Sequence, residues 1–529
     1  PLRIQAGTLY ILQKATDDGN VYLPEHKLVR DVCAQLSVEP EQARDAIAAL
    51  EQDERLVREA MDAPEDSEGQ DGADDFDAGD DVEVGVYLRR YHHCESKTAF
   101  YLQRLLHSPK AVRFENPDAL VDKVTAELPI ALAPEQLEAV RTAARSKVMV
   151  LTGGPGTGKT TTLRGILKVF EGMGLDVALA APTGRAAKRM SELTGREAQT
   201  IHRLLEVEWD RNDRPMFQRN RRNPLSASAV IIDELSMVDI TLFSSLLDAL
   251  PIGCRLVMVG DADQLPSVGA GNVLQDMINS KALPVIELKE VFRQAMESLI
   301  ITNAHRIVDG EMPELGRTDK DFFFMERRTQ AATAKTVVEL CAVRLPKAYK
   351  YSPTEDIQVL CPSKKGEEGT VNLNKLLQAS INPPARHKKE HAFGQRTLRV
   401  GDKLMQTKNN YNIMWTSSEK EGMGVFNGDI GMLEKIDESS HLLYVRFDDR
   451  TAEYPFESAA ELEHAYEVSR MTDETISSMV QDVTHHKETE IRIITGAVCR
   501  LGREHHVPTP CNDLLLQLVL AKQSIYLGR

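Results

Sequence analysis

Runs of apolar residues of constant period divide this chain into elements. Val148-Met-Val-Leu151 is a short unbroken apolar run, the pattern of a strand buried on both faces. It breaks into a Gly-rich turn, after which Thr160 to Phe170 has helix-compatible spacing. Asp176 to Ala181 reads as a second apolar strand, running into Pro182-Thr-Gly-Arg-Ala-Ala187, a turn that opens another helix. Ala229-Val-Ile-Ile232 predicts a buried parallel strand, and Arg255-Leu-Val-Met-Val-Gly260 a further strand that ends in polar residues. Residues 206–224 are polar and interrupted. Trp209 and Phe217 flank a turn at Asn212–Pro215, which predicts an inserted β-hairpin with Arg219, Arg221 and Arg222 on its second arm. Such a hairpin is either a solvated excursion or a device that touches nucleic acid, and the arginines favour the second.

Upstream, Val21-Tyr22-Leu23 is strand-like, and Lys27 to Leu36 and Glu41 to Leu50 carry apolar residues at helical spacing. With Arg55-Leu-Val-Arg58 they predict a small winged-helix-like module. Modules of that kind pack against protein as often as they bind DNA. Val82 to Tyr87 reads as a returning strand and Tyr91 to Leu106 as a helix. Ala119 to Ile130 leads into Leu132 to Val140, where Pro134 suits a first helical turn.

A length of 529 residues predicts several domains, and 42% apolar with 27% charged residues a soluble globular class. No apolar run reaches membrane-spanning length and no signal-peptide pattern opens the chain, which begins at Pro1. The seven cysteines are scattered without a CxxC pair, which fits a reducing, cytoplasmic setting and supports neither a zinc site nor a disulfide framework. The net charge of −16 argues at first against nucleic acid. Eleven acidic residues and no Lys or Arg lie between Asp62 and Glu83, however, and without those eleven the net charge falls to −5. That run, within residues 62–84, reads as a solvated acidic loop, so a nucleic-acid surface has to be a local groove.

The candidate chemistry sits at the strand ends. Gly153, Gly158, Lys159 and Thr160 fit the phosphate-loop pattern, with four residues between the two glycines. Backbone N–H groups from Gly153, Gly154, Pro155, Gly156, Thr157 and Gly158 to Thr161 would line such a cradle (Pro155 lending shape alone), and the helix N-terminus adds its positive end. Lys159 can reach the β- and γ-phosphates and the Thr160 hydroxyl can ligate Mg²⁺. Asp233 and Glu234, following the Ala229 strand, would hold Mg²⁺ and orient or deprotonate the attacking water. Gln264 sits where it could sense the γ-phosphate. Arg293, in Leu288-Lys-Glu-Val-Phe-Arg-Gln294, could give positive charge to the transferring phosphoryl group. Gln136 is either an adenine reader or an ordinary helix residue, and His202 is more often structural than a ligand. The turn at Thr183 can bind a backbone phosphate at a helix N-terminus.

Taken in order, the phosphate loop, Pro-Thr-Gly-Arg-Ala-Ala, Asp-Glu, Gly-Asp-Ala-Asp-Gln-Leu-Pro and Val-Phe-Arg-Gln resemble the motor motifs of superfamily 1 helicases, RecD-like 5′-to-3′ DNA helicases above all. The resemblance extends through Val359–Gly369, Leu373–Gln378, Gly401–Tyr411 and Val425–Gly431, and covers about residues 1–466. It implies an α/β fold with two RecA-like P-loop motor domains, the second incomplete. The implied division is an N-terminal helical module over 1–125, a first motor domain over 126–290 with the 206–224 hairpin as strand-separating pin, and a second from 291 to 384. An SH3-like insertion follows over 385–457, with a return to the second motor domain at 458–466. Leu442 to Phe447, Gly431 to Leu433 and Thr451 to Tyr454 read as short strands, in keeping with the insertion. Carried over, Lys159, Thr160, Asp233, Glu234, Gln264 and Arg293 become ATPase residues and Gln136 the adenine reader. Thr183, Arg185, His202, Lys403, Asn409, Asn410, Asn427 and Gly428 fall in motifs of the DNA path. The implied cofactors are ATP and Mg²⁺, and the implied partners single-stranded DNA and its junctions with duplex, bound by a cytoplasmic monomer in repair or recombination.

From Glu467 the character changes. The helicase motifs that would close the second motor domain, one supplying an arginine, do not follow. Met471–Met479, Lys487–Ile491 and Gly502–Pro510 resemble instead the C-terminal helical domain of ketopantoate reductases, where Ser478 and Glu490 would lie near substrate, although Arg492-Ile-Ile-Thr-Gly496 departs from that family's pattern. No Gly-x-Gly-x-x-Gly unit accompanies the tail, so it has no dinucleotide site. The tail over 467–529 therefore reads as a helical segment without chemistry, joined by a chimeric event or an error of sequence assembly. The expectation is an ATP-dependent 5′-to-3′ helicase. The alternatives are a nucleotide- and DNA-binding module with impaired turnover and, last, a reductase fragment.

Overall fold

A computed structural model describes all residues except 1, 62–82, 110–113, 115, 210–214, 395, 408–409, 418–420, 426–427, 449, 466 and 470–529. Contacts divide the chain into two units. The first comprises Pro1–Met325 with Lys408–Asn412 and Met423–Asp429, and the second Glu326–Thr407, Ile413–Gly422 and Ile430 onward.

The first unit opens with α1 (Leu2–Asp17), β1 (Tyr22–Pro24), α2 (Glu25–Leu36), α3 (Pro40–Gln52), β2 (Leu56–Ala60) and β3 (Val84–Leu88). The strands pair antiparallel in the order β1-β3-β2, and the apolar stripes of the three helices, among them Leu12, Leu28, Val32, Ile47 and Leu50, bury against that sheet. There follow α4 (Arg89–His107), α5 (Pro117–Ala126) and α6 (Pro134–Arg145), then β4 (Val148–Gly153), α7 (Lys159–Gly172), β5 (Val177–Ala181), α8 (Gly184–Thr194), β6 (Ala198–Thr200) and α9 (Ile201–Leu204). The hairpin strands β7 (Val207–Trp209) and β8 (Pro215–Phe217) precede β9 (Ala229–Ile232), α10 (Ile240–Ala249), β10 (Arg255–Gly260), α11 (Val273–Asn279), β11 (Val285–Leu288), α12 (Arg293–Met296) and α13 (Leu299–Val308).

Six of these strands form one parallel sheet in the order β11-β4-β10-β9-β5-β6. Its register explains the unbroken apolar runs. Val148 and Val150 face a core with Val230, Ile232, Leu256 and Met258, while Met149 and Leu151 face a second core with Ile231, Val257 and Val259. Alternate residues of one strand thus need apolar side chains on opposite faces, because helices cover both. The strands end together on one edge, where loops rather than cores receive the polar residues.

The second unit begins with helix from α14 (Gln330–Glu339) through a wider turn at Leu340–Arg344 to α15 (Leu345–Tyr349). Then come β12 (Val359–Cys361), α16 (Thr370–Ile381), β13 (Glu390–Phe393) and β14 (Arg396–Arg399). The remaining strands are β15 (Lys403–Gln406), β16 (Asn410–Ser417), β17 (Glu421–Val425), β18 (Ile430–Asp437), β19 (Leu442–Phe447), β20 (Arg450–Pro455), β21 (Leu462–His464) and β22 (Glu467–Ser469). Seven of them form a sheet in the order β17-β16-β20-β19-β18-β15-β21, antiparallel from β16 to β21. β22 pairs in parallel with β12, so backbone pairing continues three residues beyond the change of sequence character at Glu467. Among the described residues, these two short strands are the only parallel pair of the second unit. Asp402 is fully buried and accepts bonds from Gln378 Nε2 (2.7 Å), Asn382 Nδ2 (2.8 Å) and the Arg399 N–H (2.7 Å), which fixes α16 to the β14–β15 turn.

Candidate nucleotide-binding site

The loop after β4 bounds a cavity of about 500 Å³ whose wall includes Lys159, Thr160, Thr161, Asp233, Glu234 and Gln264. The loop owes its path to glycine at two points. Gly156 has φ +78° and Gly158 φ +81°, both in the left-handed region. A Cβ on Gly158 would also stand 2.3 Å from Gln136 Nε2 and 2.6 Å from Phe292 Cε2, so a side chain there would force those two side chains to shift. Gly158 precedes α7, whose first N–H groups therefore open toward the cavity. The Thr157 hydroxyl, buried, donates to the Gly154 carbonyl at 2.9 Å and ties the crown of the loop.

Lys159 reaches back across the loop. Its Nζ donates to the carbonyls of Gly153 and Gly154 and lies 3.8 Å from Asp261 Oδ2. Asp233 and Glu234 follow β9. Asp233 Oδ1 accepts from the Glu234 N–H at 2.9 Å, and Glu234 itself has φ +56° and ψ +42°, a left-handed conformation for a residue with a Cβ. Burial pushes the Asp233 carboxyl up, opposed by that N–H and by the charges of Lys159 and Arg189. Burial also pushes Glu234 up, and the neighbouring Asp233 charge adds to the shift. Gln264 is exposed on the cavity wall. Arg293 opens α12, and its side chain lies outside the described ones.

Gln136 sits behind the loop. It is 2% exposed, its Oε1 accepts from the Ala133 N–H at 3.0 Å, and its Nε2 faces the Thr157 and Gly158 carbonyls at 3.4 and 3.3 Å. Both ends of the amide are committed behind the loop, and the residue does not line the cavity. These contacts tie it to the back of the phosphate loop. Two cavity residues, Arg189 on α8 and Ile301 on α13, lie outside the quoted motifs, whereas Phe292 belongs to the Val-Phe-Arg-Gln series. Arg189 stands four residues after Arg185, one helical turn along, which is the single cue the sequence held. Asp261, 4% exposed, was equally readable as the first acid of the Gly-Asp-Ala-Asp run.

The candidate DNA residues divide. The Thr183 hydroxyl caps α8 by accepting from the Ala186 N–H at 3.2 Å, and Arg185 beside it is exposed. Oδ1 of Asp429, next in the chain to Gly428, lies 3.0 Å from where a Cβ on Gly184 would stand, while a Cβ on Gly428 itself would meet nothing within 4 Å. His202 packs its ring 6.0 Å from that of Phe217 on the hairpin, and burial lowers its pKa. Lys403 is 6% exposed and donates to Ile357 O at 3.2 Å and Gln358 Oε1 at 3.1 Å inside the second unit. Asn410 begins β16, while Asn409 and Asn427 lie outside the described residues. On the hairpin, Arg219 is held by Glu206 at 2.8 Å, whereas Arg221 and Arg222 are exposed. Ser478 and Glu490 also lie outside the described residues.

Residues 136–270 match the family described as an AAA domain, and residues 373–447 the SH3 domain of ATP-dependent RecD-like DNA helicases. An ATP-dependent RecD2 DNA helicase of Deinococcus radiodurans is 34% identical over 86% of this chain and 57% of its own. The chain is RecD-like. The RecBCD enzyme subunit RecD of Mycobacterium tuberculosis is 31% identical over 56% of this chain and 55% of its own. The RecD-like chain thus spans a little over half the length of these curated relatives. A solved Pif1 helicase from Candida albicans covers 64% of this chain and 86% of its own at 18% identity, with a TM-score of 0.34 that carries no weight here. A third family, the C-terminal domain of ketopantoate reductase PanE/ApbA, matches residues 432–523. Its first residues overlap the SH3 match, and there the RecD-like chain forms β18 and β19 of the seven-stranded sheet. The reductase match therefore begins in a segment that forms two strands joined by a turn.

Proposed function

We propose that this chain is an ATP-hydrolysing DNA helicase motor that moves 5′ to 3′ on single-stranded DNA. One observation carries the reading: Lys159, Thr160, Asp233, Glu234 and Gln264, drawn from three strand ends, line a single cavity. Phosphates would enter at the loop N–H groups, and Lys159 would exchange its two carbonyl partners for phosphate oxygens. The oxygen donors of Thr160 and Asp233 suit Mg²⁺, which is commonly held by one or two protein groups together with phosphates. When bound, that ion would neutralise charge on the phosphates. Glu234, raised by burial, is placed to orient or accept a proton from the attacking water. DNA would run past the N-terminus of α8 at Thr183 and Arg185, with Arg221 and Arg222 of the hairpin at the junction with duplex. A cytoplasmic monomer acting in repair or recombination completes the proposal. Among the described residues no helix is long and apolar enough to cross a membrane.

Duplexes with either a 5′ or a 3′ single-stranded tail test the direction. Unwinding with ATP and Mg²⁺ is expected on the 5′ tail, and preference for the 3′ tail would overturn the polarity. A second reading, nucleotide and DNA binding with poor turnover, is favoured by the reductase-like match over residues 432–523. DNA-stimulated hydrolysis close to that of an intact relative would reject it. Titration with NADPH is expected to show no binding, which would dispose of a reductase.

A further inference from the structure

α13 meets the crown of the phosphate loop through one polar side chain. His305 Nε2 lies 3.1 Å from the Pro155 carbonyl oxygen. A carbonyl only accepts, so the nitrogen that faces it carries the proton and the imidazole donates. The ring also occupies the space beside Gly154, where a Cβ would stand 2.8 Å from His305 Cε1. One turn earlier, Ile301 reaches the cavity wall and lies 3.4 Å from where a Cβ on Gly156 would stand. α13 is itself pinned from outside. The Ser298 hydroxyl accepts from the Ile301 N–H at 3.3 Å, and the Asp321 carboxylate accepts from the N–H groups of Leu299 (2.7 Å) and Ile300 (3.2 Å). Asn303, 1% exposed, exchanges two bonds with the Glu314 backbone, at 3.1 and 2.7 Å. His305 therefore presents its donor from a fixed frame.

We propose that His305 is a positioning residue for nucleotide turnover, holding Pro155 from α13 so that the loop's N–H groups stay aimed into the cavity. The proposal rests on the ATP reading given above. A loop with glycine at 153, 154, 156 and 158 loses much conformational freedom when it closes on phosphates. A donor mounted on a helix does part of that ordering beforehand, and pre-ordering of this kind appears as affinity.

The test uses the full chain as wild type and as His305→Gln, His305→Leu and Lys159→Ala. Binding of a fluorescent ATP analogue, KM and kcat of DNA-stimulated hydrolysis, and melting temperature are measured for each. Glutamine keeps an N–H donor of similar reach, whereas leucine keeps apolar bulk without one. His305→Leu is expected to weaken binding and raise KM by about 3–10-fold, the scale of one hydrogen bond. His305→Gln should stay within about twofold of wild type, with both variants melting near it. A packing role alone predicts the reverse order. Binding by His305→Leu equal to wild type, or by His305→Gln as weak as His305→Leu, overturns the proposal while leaving the ATP reading intact. Wild type that binds no better than Lys159→Ala overturns the ATP reading itself.

Discussion

At the scale of single residues, the proposed function assigns the holding of phosphate and the breaking of its bond to different side chains of the cavity. Lys159 is a half-buried cation with two carbonyl partners, it lies 3.8 Å from Asp261 Oδ2, and its charge also bears on Asp233 and Glu234. Its replacement by alanine should abolish nucleotide binding, seen as at least a tenfold loss of affinity, on the order of one charge-assisted bond. Glu234→Gln leaves the loop untouched. It should spare binding but cut hydrolysis by about 10²–10⁴-fold, the range for a removed general base. Retained full hydrolysis would strip Glu234 of that role. These residues were legible because their chemistry demands fixed spacing within one short segment. The partners of Gln136 and Lys403 were not legible for the opposite reason: what their side chains touch, Gly158 and Ile357, is 22 and 46 positions away. His305 and Pro155 are 150 positions apart, and no local pattern could join them.

Among the elements, the strands of the first unit were readable wherever both faces are covered. Asp176 to Ala181 became Val177–Ala181, and Thr160 to Phe170 became the interior of Lys159–Gly172. The glycines of the loop have an element-level role, since Gly158 turns β4 into α7. Gly158→Ala combines a left-handed φ with a contact of 2.3 Å to Gln136, so a lower melting temperature and loss of nucleotide binding are both expected. Unchanged values in calorimetry and titration would refute that account. α4 provides a pH-sensitive case. Burial, with Asp276 and Glu59 adding, pushes Glu95 up to about 7, while a bond from Tyr87 works against the shift. The ordinary carboxyl ionises near 4.5, so the folded chain takes up a proton between 4.5 and about 7. The ionised group then costs stability increasingly as pH rises through that window, and fully above it. Glu95→Gln should therefore raise the melting temperature more at pH 8.5 than at pH 5. An equal effect at both would contradict the assignment.

For the whole molecule, an acidic chain that binds DNA has to do so through local cations. Affinity for single-stranded DNA should fall steeply with salt, and Arg185→Ala should make the dependence shallower by about 0.7 in log–log slope. A slope identical to that of wild type would remove Arg185 from the DNA path. The architecture of the first unit was visible in the chain because parallel strands announce themselves as apolar runs. The second unit was less so, since its sheet is built from short, half-exposed antiparallel strands whose pattern fades at the bends. The tail beyond Ser469 rests on resemblance alone. Stability of the whole chain also bears the mark of one dihedral. Glu234 combines a left-handed backbone with a carboxylate that burial and Asp233 both disfavour. Glu234→Gly would relieve both at once and should melt about 1–3 °C higher while hydrolysing nothing. On the proposed reading, a gain in stability at this position is bought with turnover.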